Sequence, residues 1–158
     1  GTGWAWGKYL PEERADVPPS QFPWFAIAYA ELGTREVVGS GDHPRIVEYL
    51  QSTTLKAPHS ANDETPWCSA FANWCVEQAG YAGTDSAWAR SWLNWGRRID
   101  APVAGCITVF ERDVSSGHVA FFVSRSGERI EVLGGNQSDA VSVAGYAAQR
   151  LLGYRVPG

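Results

Sequence analysis

The chain has 158 residues, 44% of them hydrophobic, and a formal net charge of -4. A chain of this size and composition suits one folded domain, which excludes a disordered protein. The negative charge argues against nucleic acid as the main partner, and no apolar run approaches the roughly 20 residues of a membrane span. The chain begins at Gly1 and contains no methionine, so we expect a processed or excised piece of a longer product.

Two helices are predicted after an N-terminal segment without periodicity. Residues 1–20 are rich in tryptophan and proline and are interpreted as an arm or linker, which leaves residues 21–158 as the domain. The first helix is expected between Pro23 and Gly33. The second is expected to be capped by Asp42 and to end after Ser52.

The third helix has a clear predicted start. Thr65 is the expected N-cap and Pro66 the first helical residue, which places Cys68 about three residues into a helix that ends near Gly80. A fourth helix is predicted over about residues 86–95.

Tryptophans occur in or next to both of these predicted helices. Trp74, Trp88 and Trp92 recur at helical spacing and are predicted to belong to the core, whereas Trp67, beside the cysteine, is expected on the wall of a groove.

After residue 100 the pattern changes to short runs rich in β-branched and aromatic residues, separated by Gly, Ser and Asp. About five antiparallel strands are predicted, over residues 106–110, 118–124, 129–133, 141–144 and 151–156. Helices first and strands afterwards indicate an α+β domain with N-terminal helices packed on a C-terminal antiparallel sheet.

Cys68 is the candidate nucleophile, because a helix N-terminus favours the thiolate over the thiol. Cys75 lies seven residues further along the same helix, about 10.5 Å away and too far for a disulfide. Cys75 and Cys106 are expected as buried reduced thiols. His43 and His59 are expected in surface loops, and no cluster has metal-ligand spacing, so no metal or other cofactor is expected.

A cysteine hydrolase also needs an imidazole and a group that orients it. His118 begins a predicted strand, and Asn136 follows Gly134-Gly135 at the end of the next. A three-residue loop over 126–128 would place His118 opposite Asn136 on one face, whereas a two-residue loop over 126–127 would turn Asn136 to the other face. Both loops remain open, and three further residues could orient the ring in place of Asn136: Gln137, Glu131 and Asp113.

Backbone N–H groups at the start of the cysteine helix are the natural donors to a developing oxyanion. We expect them to be those of Cys68 or Ser69.

Three segments together resemble the NlpC-like and CHAP peptidoglycan hydrolases. They are Pro66–Cys75, Gly117–Phe121 and Leu133–Ser138. The resemblance extends over roughly residues 23–157 and implies a papain-like fold that cleaves amide bonds in cell-wall peptides. One position departs from the pattern: many CHAP members have Glu two residues before the Asn, where this chain has Gly134.

The resemblance also implies roles for individual residues. Cys68 would be the nucleophile, His118 the general base and acid, and Asn136 the residue that orients the ring. Asp63 and Glu64 lie close to the nucleophile in sequence and could bind the free amine of a cell-wall diamino acid.

Peptidoglycan is therefore the expected substrate, and the bacterial cell wall, periplasmic or extracellular, the expected place of action. Two competing functions are a wall-binding module on the same fold and a thiol transpeptidase or protease acting on another amide. The bond cleaved, the oligomeric state and the setting stay open: phage lysis enzyme, wall-remodelling enzyme, or toxin with an immunity protein as partner.

Overall fold

The computed structural model describes residues 19–36, 43–53 and 67–158. The predicted arm, apart from its last two residues, and the predicted caps Asp42 and Thr65 lie outside these ranges. Three α-helices and a 3₁₀ helix come first: α1 (Pro23–Ala30), α2 (Pro44–Gln51), α3 (Cys68–Gln78) and the 3₁₀ helix Ala89–Asn94. Within the described ranges, no helix is both long and apolar enough to cross a membrane.

The second half forms a six-stranded antiparallel sheet with strand order β1-β6-β2-β3-β4-β5. The strands are β1 (Arg97–Ile99), β2 (Ile107–Glu111), β3 (Gly117–Ser126), β4 (Arg129–Gly134), β5 (Ser142–Ala147) and β6 (Leu151–Val156). The predicted α+β class and the order of helices and strands are confirmed. The additional strand, β1, is three residues long and carries two arginines, so it shows no apolar alternation.

Helix α1 is apolar on most of its surface and lies in the core. Trp24, Phe25 and Ile27 are fully buried, because the sheet covers one side of the helix and α3 packs on another. The indole N–H of Trp24 donates to the carbonyl of Gly105 at 2.8 Å. The helix is thereby fixed to the start of β2, which brings the helical layer against the sheet.

A buried carboxylate joins α1 to α2. Glu31 accepts a hydrogen bond from the hydroxyl of Tyr49 at 2.6 Å and forms an ion pair with Nε of Arg45 at 3.2 Å. Burial and the nearby Glu31 carboxylate hold the pKa of Tyr49 far above its ordinary value. His43, predicted in a surface loop, is the N-cap of α2, and its Nδ1 accepts from the N–H of Arg45 at 3.0 Å.

Helix α3 begins later than predicted. Trp67 is the N-cap and Cys68 is the first helical residue rather than the third, while Pro66 lies outside the described ranges. Cys68 therefore remains in the first turn, where N–H groups lack acceptors earlier in the helix.

The predicted fourth helix is the shorter 3₁₀ helix, and its predicted core tryptophans differ in burial. Trp92 is buried as expected, but Trp88 precedes the helix in extended conformation and is 54% exposed, so its assignment to the core is wrong. Its indole N–H donates to the carbonyl of Ser115, and Arg90 donates to the carbonyls of Asp113 and Ser116. The 3₁₀ segment thus fixes the loop that leads into β3.

The β3–β4 hairpin uses neither predicted loop. Ser126 pairs with Arg129, so the two loop residues are 127 and 128, and Gly127 has a positive φ of 60°. A bulge between Phe122 and Ser124 then shifts the pairing. Because the bulge adds one residue to β3, the strand ends far from the loop recover the register that the three-residue loop would have given.

A substitution at Gly135 tests how closely the end of β4 packs on α3. A Cβ atom there would lie 2.7 Å from the Cβ of Phe71 and from the ring of Trp67. We expect Gly135→Ala to lower the free energy of unfolding by about 1–3 kcal/mol, because backbone must move to relieve the contact. Urea denaturation measures this loss. Gly153→Ala is the control, since its nearest neighbour is 3.6 Å away; equal losses in both variants would contradict the packing described.

Candidate active site

Cys68 and His118 meet where the start of α3 packs on β3. Both residues are buried, with Cys68 4% exposed and His118 fully covered. His118 is the second residue of β3 and lies opposite Phe110 of β2. Its Nδ1 is buried and has no hydrogen-bond partner among the described residues, and its link to Cys68 is seen in the pKa of that thiol.

The site lowers the pKa of the Cys68 thiol below its ordinary value. Burial alone would raise this pKa, but the charge of His118 and its polar interaction with the sulfur, the N–H of Val119 and the charge of Arg112 outweigh burial. The thiolate is therefore favoured although it is enclosed.

The other two cysteines show what burial does when no cation is near. All three thiols are unpaired and buried, as predicted for Cys75 and Cys106. Burial raises the pKa of Cys75 well above its ordinary value, with the Glu31 carboxylate adding to the effect, and raises that of Cys106 to about 11. Only Cys68 is in an environment suited to a nucleophile.

Gln137 fixes the imidazole. Its Oε1 lies 2.8 Å from Nε2 of His118. Its Nε2 donates to the carbonyl of Ser142 at 2.6 Å, with the carbonyl of Val132 at 3.5 Å. Because carbonyls can only accept, the amide oxygen must face the ring, and Nε2 of His118 must be the donor. The neutral ring then carries its proton on Nε2 and presents Nδ1 as the acceptor for the thiol proton.

The predicted contact between Asn136 and His118 is not formed, and the next residue takes its place. Asn136 has a positive φ of 57°, which bends the chain out of the strand. The bend brings the side chain of Gln137 back over the end of β4. Gly134 makes room for it, since a Cβ atom there would lie 2.9 Å from the Oε1 of Gln137.

Glu131 and Asp113, which could also have oriented the ring, lie elsewhere. Glu131 pairs with Arg129 at 3.6 Å. Asp113 accepts from the N–H groups of Ser115 and Ser116, and these bonds lower its pKa to about 2.

Of the remaining predicted site residues, Ser69 lies at the start of α3 and Trp67 lies in the core. Ser69 follows Cys68 at the start of α3, where its hydroxyl donates to the carbonyl of Ser86 at 2.6 Å. Trp67 is fully buried and donates to a carboxylate oxygen of Glu36 at 3.1 Å, so its expected place on a groove wall is wrong. Asp63 and Glu64 lie outside the described residues.

Tyr146 of β5 is a site residue that sequence reasoning missed. Its ring packs on His118 at 5.1 Å between centroids, and its hydroxyl lies 3.4 Å from Nε2 of that ring. Burial raises the pKa of Tyr146, so the phenol stays neutral. Because Nε2 carries the ring proton, the hydroxyl oxygen can only accept from it. Strand β5 alternates weakly, and nothing in its sequence marks this tyrosine.

No group of three or more His, Cys, Asp or Glu side chains suited to a metal ion occurs within residues 19–36, 43–53 and 67–158. The residues gathered around Cys68 can supply a nucleophile, a proton carrier and backbone donors.

Two comparisons with known proteins found similarities. The CHAP domain family model matches residues 60–136, which include Cys68 and His118. A solved structure from Staphylococcus aureus, described as similar to a lipoprotein of the NLP/P60 family, aligns with 18% identity and a TM-score of 0.44. The alignment covers 85% of this chain and 48% of that one, so this chain spans about half its length. No curated protein matches the chain.

The lowered pKa of Cys68 predicts the pH at which its thiolate forms. Alkylation by a small uncharged reagent should reach half its maximal rate at a lower pH than that of an ordinary cysteine thiol. In His118→Asn the midpoint should rise above that of an ordinary thiol, because burial remains while the cation is lost. Peptide mapping of the alkylated protein identifies the residue. A midpoint that His118→Asn leaves unchanged would contradict the ion pair.

Gln137 and Asn136 can be separated by a matched pair of variants. Gln137→Ala removes the acceptor that holds Nε2 of His118, and we expect the alkylation rate of Cys68 at neutral pH to fall about 10-fold. Asn136→Gly removes an amide while keeping the left-handed backbone, and should leave the rate near that of the parent. A lower alkylation rate in Asn136→Gly than in Gln137→Ala would indicate that Asn136 orients the ring.

Proposed function

On the premise that this chain carries a CHAP domain, a domain of peptidoglycan-related hydrolases, we propose that it is a cysteine hydrolase cleaving an amide bond in cell-wall peptides. One observation carries the proposal: among three buried thiols, the one with a lowered pKa stands beside a histidine held by a buried amide. A core cysteine that only fills space would resemble Cys75 and Cys106 instead.

The first half of the reaction forms a thioester. The thiolate of Cys68 attacks the carbonyl carbon of the substrate amide, and negative charge develops on the carbonyl oxygen. The backbone N–H of Cys68, at the first position of α3, is suited to receive that charge, with the N–H of Ser69 beside it. His118 then gives the proton on Nδ1 to the leaving amine, and the C–N bond breaks.

The second half releases the acid. His118, now neutral and protonated on Nε2, takes a proton from water through Nδ1, and the resulting hydroxide attacks the thioester carbonyl. The C–S bond breaks and the thiolate of Cys68 is restored. Throughout, Gln137 keeps Nε2 of the ring engaged, so Nδ1 stays directed at the reacting atoms.

Hydrolysis of the cell wall places the site of action at the bacterial envelope, in the periplasm or outside the cell. An amide as orienting group adds no negative charge to the pair. The imidazolium is therefore stabilised by the thiolate itself, and the thiolate by His118, the start of α3 and the charge of Arg112.

Purified cell wall tests the activity directly. The parent protein should release new amino groups, and Cys68→Ala should reduce the release at least about 1,000-fold, because it removes the nucleophile. Cys75→Ala is the matched control: it changes the same residue type in the same helix, away from His118, and should keep most of the activity while losing about 1 kcal/mol of stability.

Equal release by the parent and Cys68→Ala would overturn the proposed hydrolysis. Binding of the wall without release would instead favour a wall-binding module. Mass spectrometry of the soluble fragments identifies the bond that is cut.

A further inference from the structure

Two arginines lie near the site, and the proposed hydrolysis gives a contact with substrate to neither. Arg112 follows β2, and its N–H donates to the carbonyl of Ser116 at 3.1 Å, which continues the pairing of β2 with β3. Side chains alternate along a strand, so Arg112 lies on the same face as Phe110 and its partner His118. The side chain of Arg112 is exposed to solvent.

Arg150, in the turn between β5 and β6, also lies near the end of β2. Its Nε donates to the carbonyl of Glu111 at 2.9 Å, and its guanidinium lies 5.6 Å from the centre of the Tyr146 ring. Tyr146 in turn packs on Phe110 at 5.0 Å and on His118. The phenol is thereby held between the imidazole and the guanidinium of Arg150.

The guanidinium of Arg112 has no partner among the residues that the structure describes, whereas some other arginines are paired. Arg45, Arg98 and Arg129 each form an ion pair with a carboxylate within 4.0 Å. Arg112 forms no side-chain hydrogen bond or ion pair with the residues that the structure describes. Two carboxylates adjoin Arg112 in sequence. That of Asp113 is occupied by backbone N–H groups, and Glu111 lies on the opposite face of β2.

The exposed guanidinium of Arg112, whose charge acts on the nucleophile, has five N–H donors and a planar shape that matches a carboxylate. On the basis of the hydrolysis proposed above, we infer that Arg112 is a specificity-determining residue that binds a free carboxylate of the peptide substrate close to the scissile amide. Arg150 adds positive charge to the same subsite. Its own Nε is engaged with the backbone, so Arg112 supplies the bidentate contact.

The position of Arg112 also explains why the subsite suits a substrate rather than a permanent partner. Its charge helps to keep Cys68 ionised before the substrate binds. A fixed carboxylate from the protein would cancel that help in the free protein, whereas a carboxylate on the substrate arrives only with the amide to be cleaved.

Binding in the Cys68→Ala background tests this without requiring turnover. A synthetic cell-wall stem peptide is prepared with its carboxyl groups free and with all of them amidated, and both dissociation constants are measured by calorimetry. The free form should bind about 10- to 100-fold more tightly than the amidated form. Adding Arg112→Gln should reduce that ratio to about 1 while leaving the affinity for the amidated form unchanged.

Two further variants control for loss of charge and loss of geometry. Arg98→Gln removes an exposed arginine of β1, at the far edge of the sheet from β5, and should keep the full ratio. Arg112→Lys keeps the charge without the planar fork and should give an intermediate ratio.

A ratio near 1 in the Cys68→Ala parent, an unchanged ratio in Arg112→Gln, or no binding of the free form would each overturn the assignment. Hydrolysis is read separately, with intact Cys68 and purified wall. A protein that prefers the free form but releases no amino groups would refute the hydrolase while leaving the carboxylate subsite in place.

Discussion

A thiolate that is almost enclosed by protein can exist only beside a compensating cation, and this constraint governs the arrangement around Cys68. Removing a charge from water costs free energy, which is why burial alone raises the pKa of Cys75 and Cys106. At Cys68 the balance is reversed by His118, with smaller help from the N–H of Val119 and the charge of Arg112. Each of these groups comes from β3 or from the loop that precedes it.

The fold serves this pairing by bringing one helix start against one strand start and by fixing both. Gly135 lets the end of β4 approach α3, and Gly134 leaves space for the side chain of Gln137. On the other side, Arg90 and Trp88 hold the carbonyls of the β2–β3 loop, so His118 enters its strand from a fixed position. Close packing and hydrogen bonds to backbone carbonyls therefore determine the geometry of the described site.

Strong local signals made much of the fold predictable. The end of α3 near Gly80, the buried stripe with Trp74 and the whole of β6 follow from helical spacing, a terminal glycine and β-branched residues. Cys68 and His118 were found because a helix start and a strand start are both visible in sequence. The short β1 and the exposure of Trp88 depend on contacts between distant segments, which local patterns do not carry.

The residue that orients His118 could not be predicted from local sequence patterns. Choosing between Asn136 and Gln137 required knowing where the hairpin loop lies, that β3 contains a bulge, and that the chain turns left-handed at residue 136. Each of these shifts a side chain to another face, and their effects combine. Tyr146 was missed for a related reason, since its proximity to His118 results from the pairing of β4 with β5.

The central claim is that one of three buried thiols is ionised because of one imidazole. NMR titration of the protein labelled with ¹³C at the cysteine Cβ atoms measures this at equilibrium. We expect the Cys68 signal to titrate at a lower pH than an ordinary cysteine thiol, and those of Cys75 and Cys106 to titrate at a higher pH. Titration of Cys68 together with the other two, at or above the pH of an ordinary thiol, would contradict the claim.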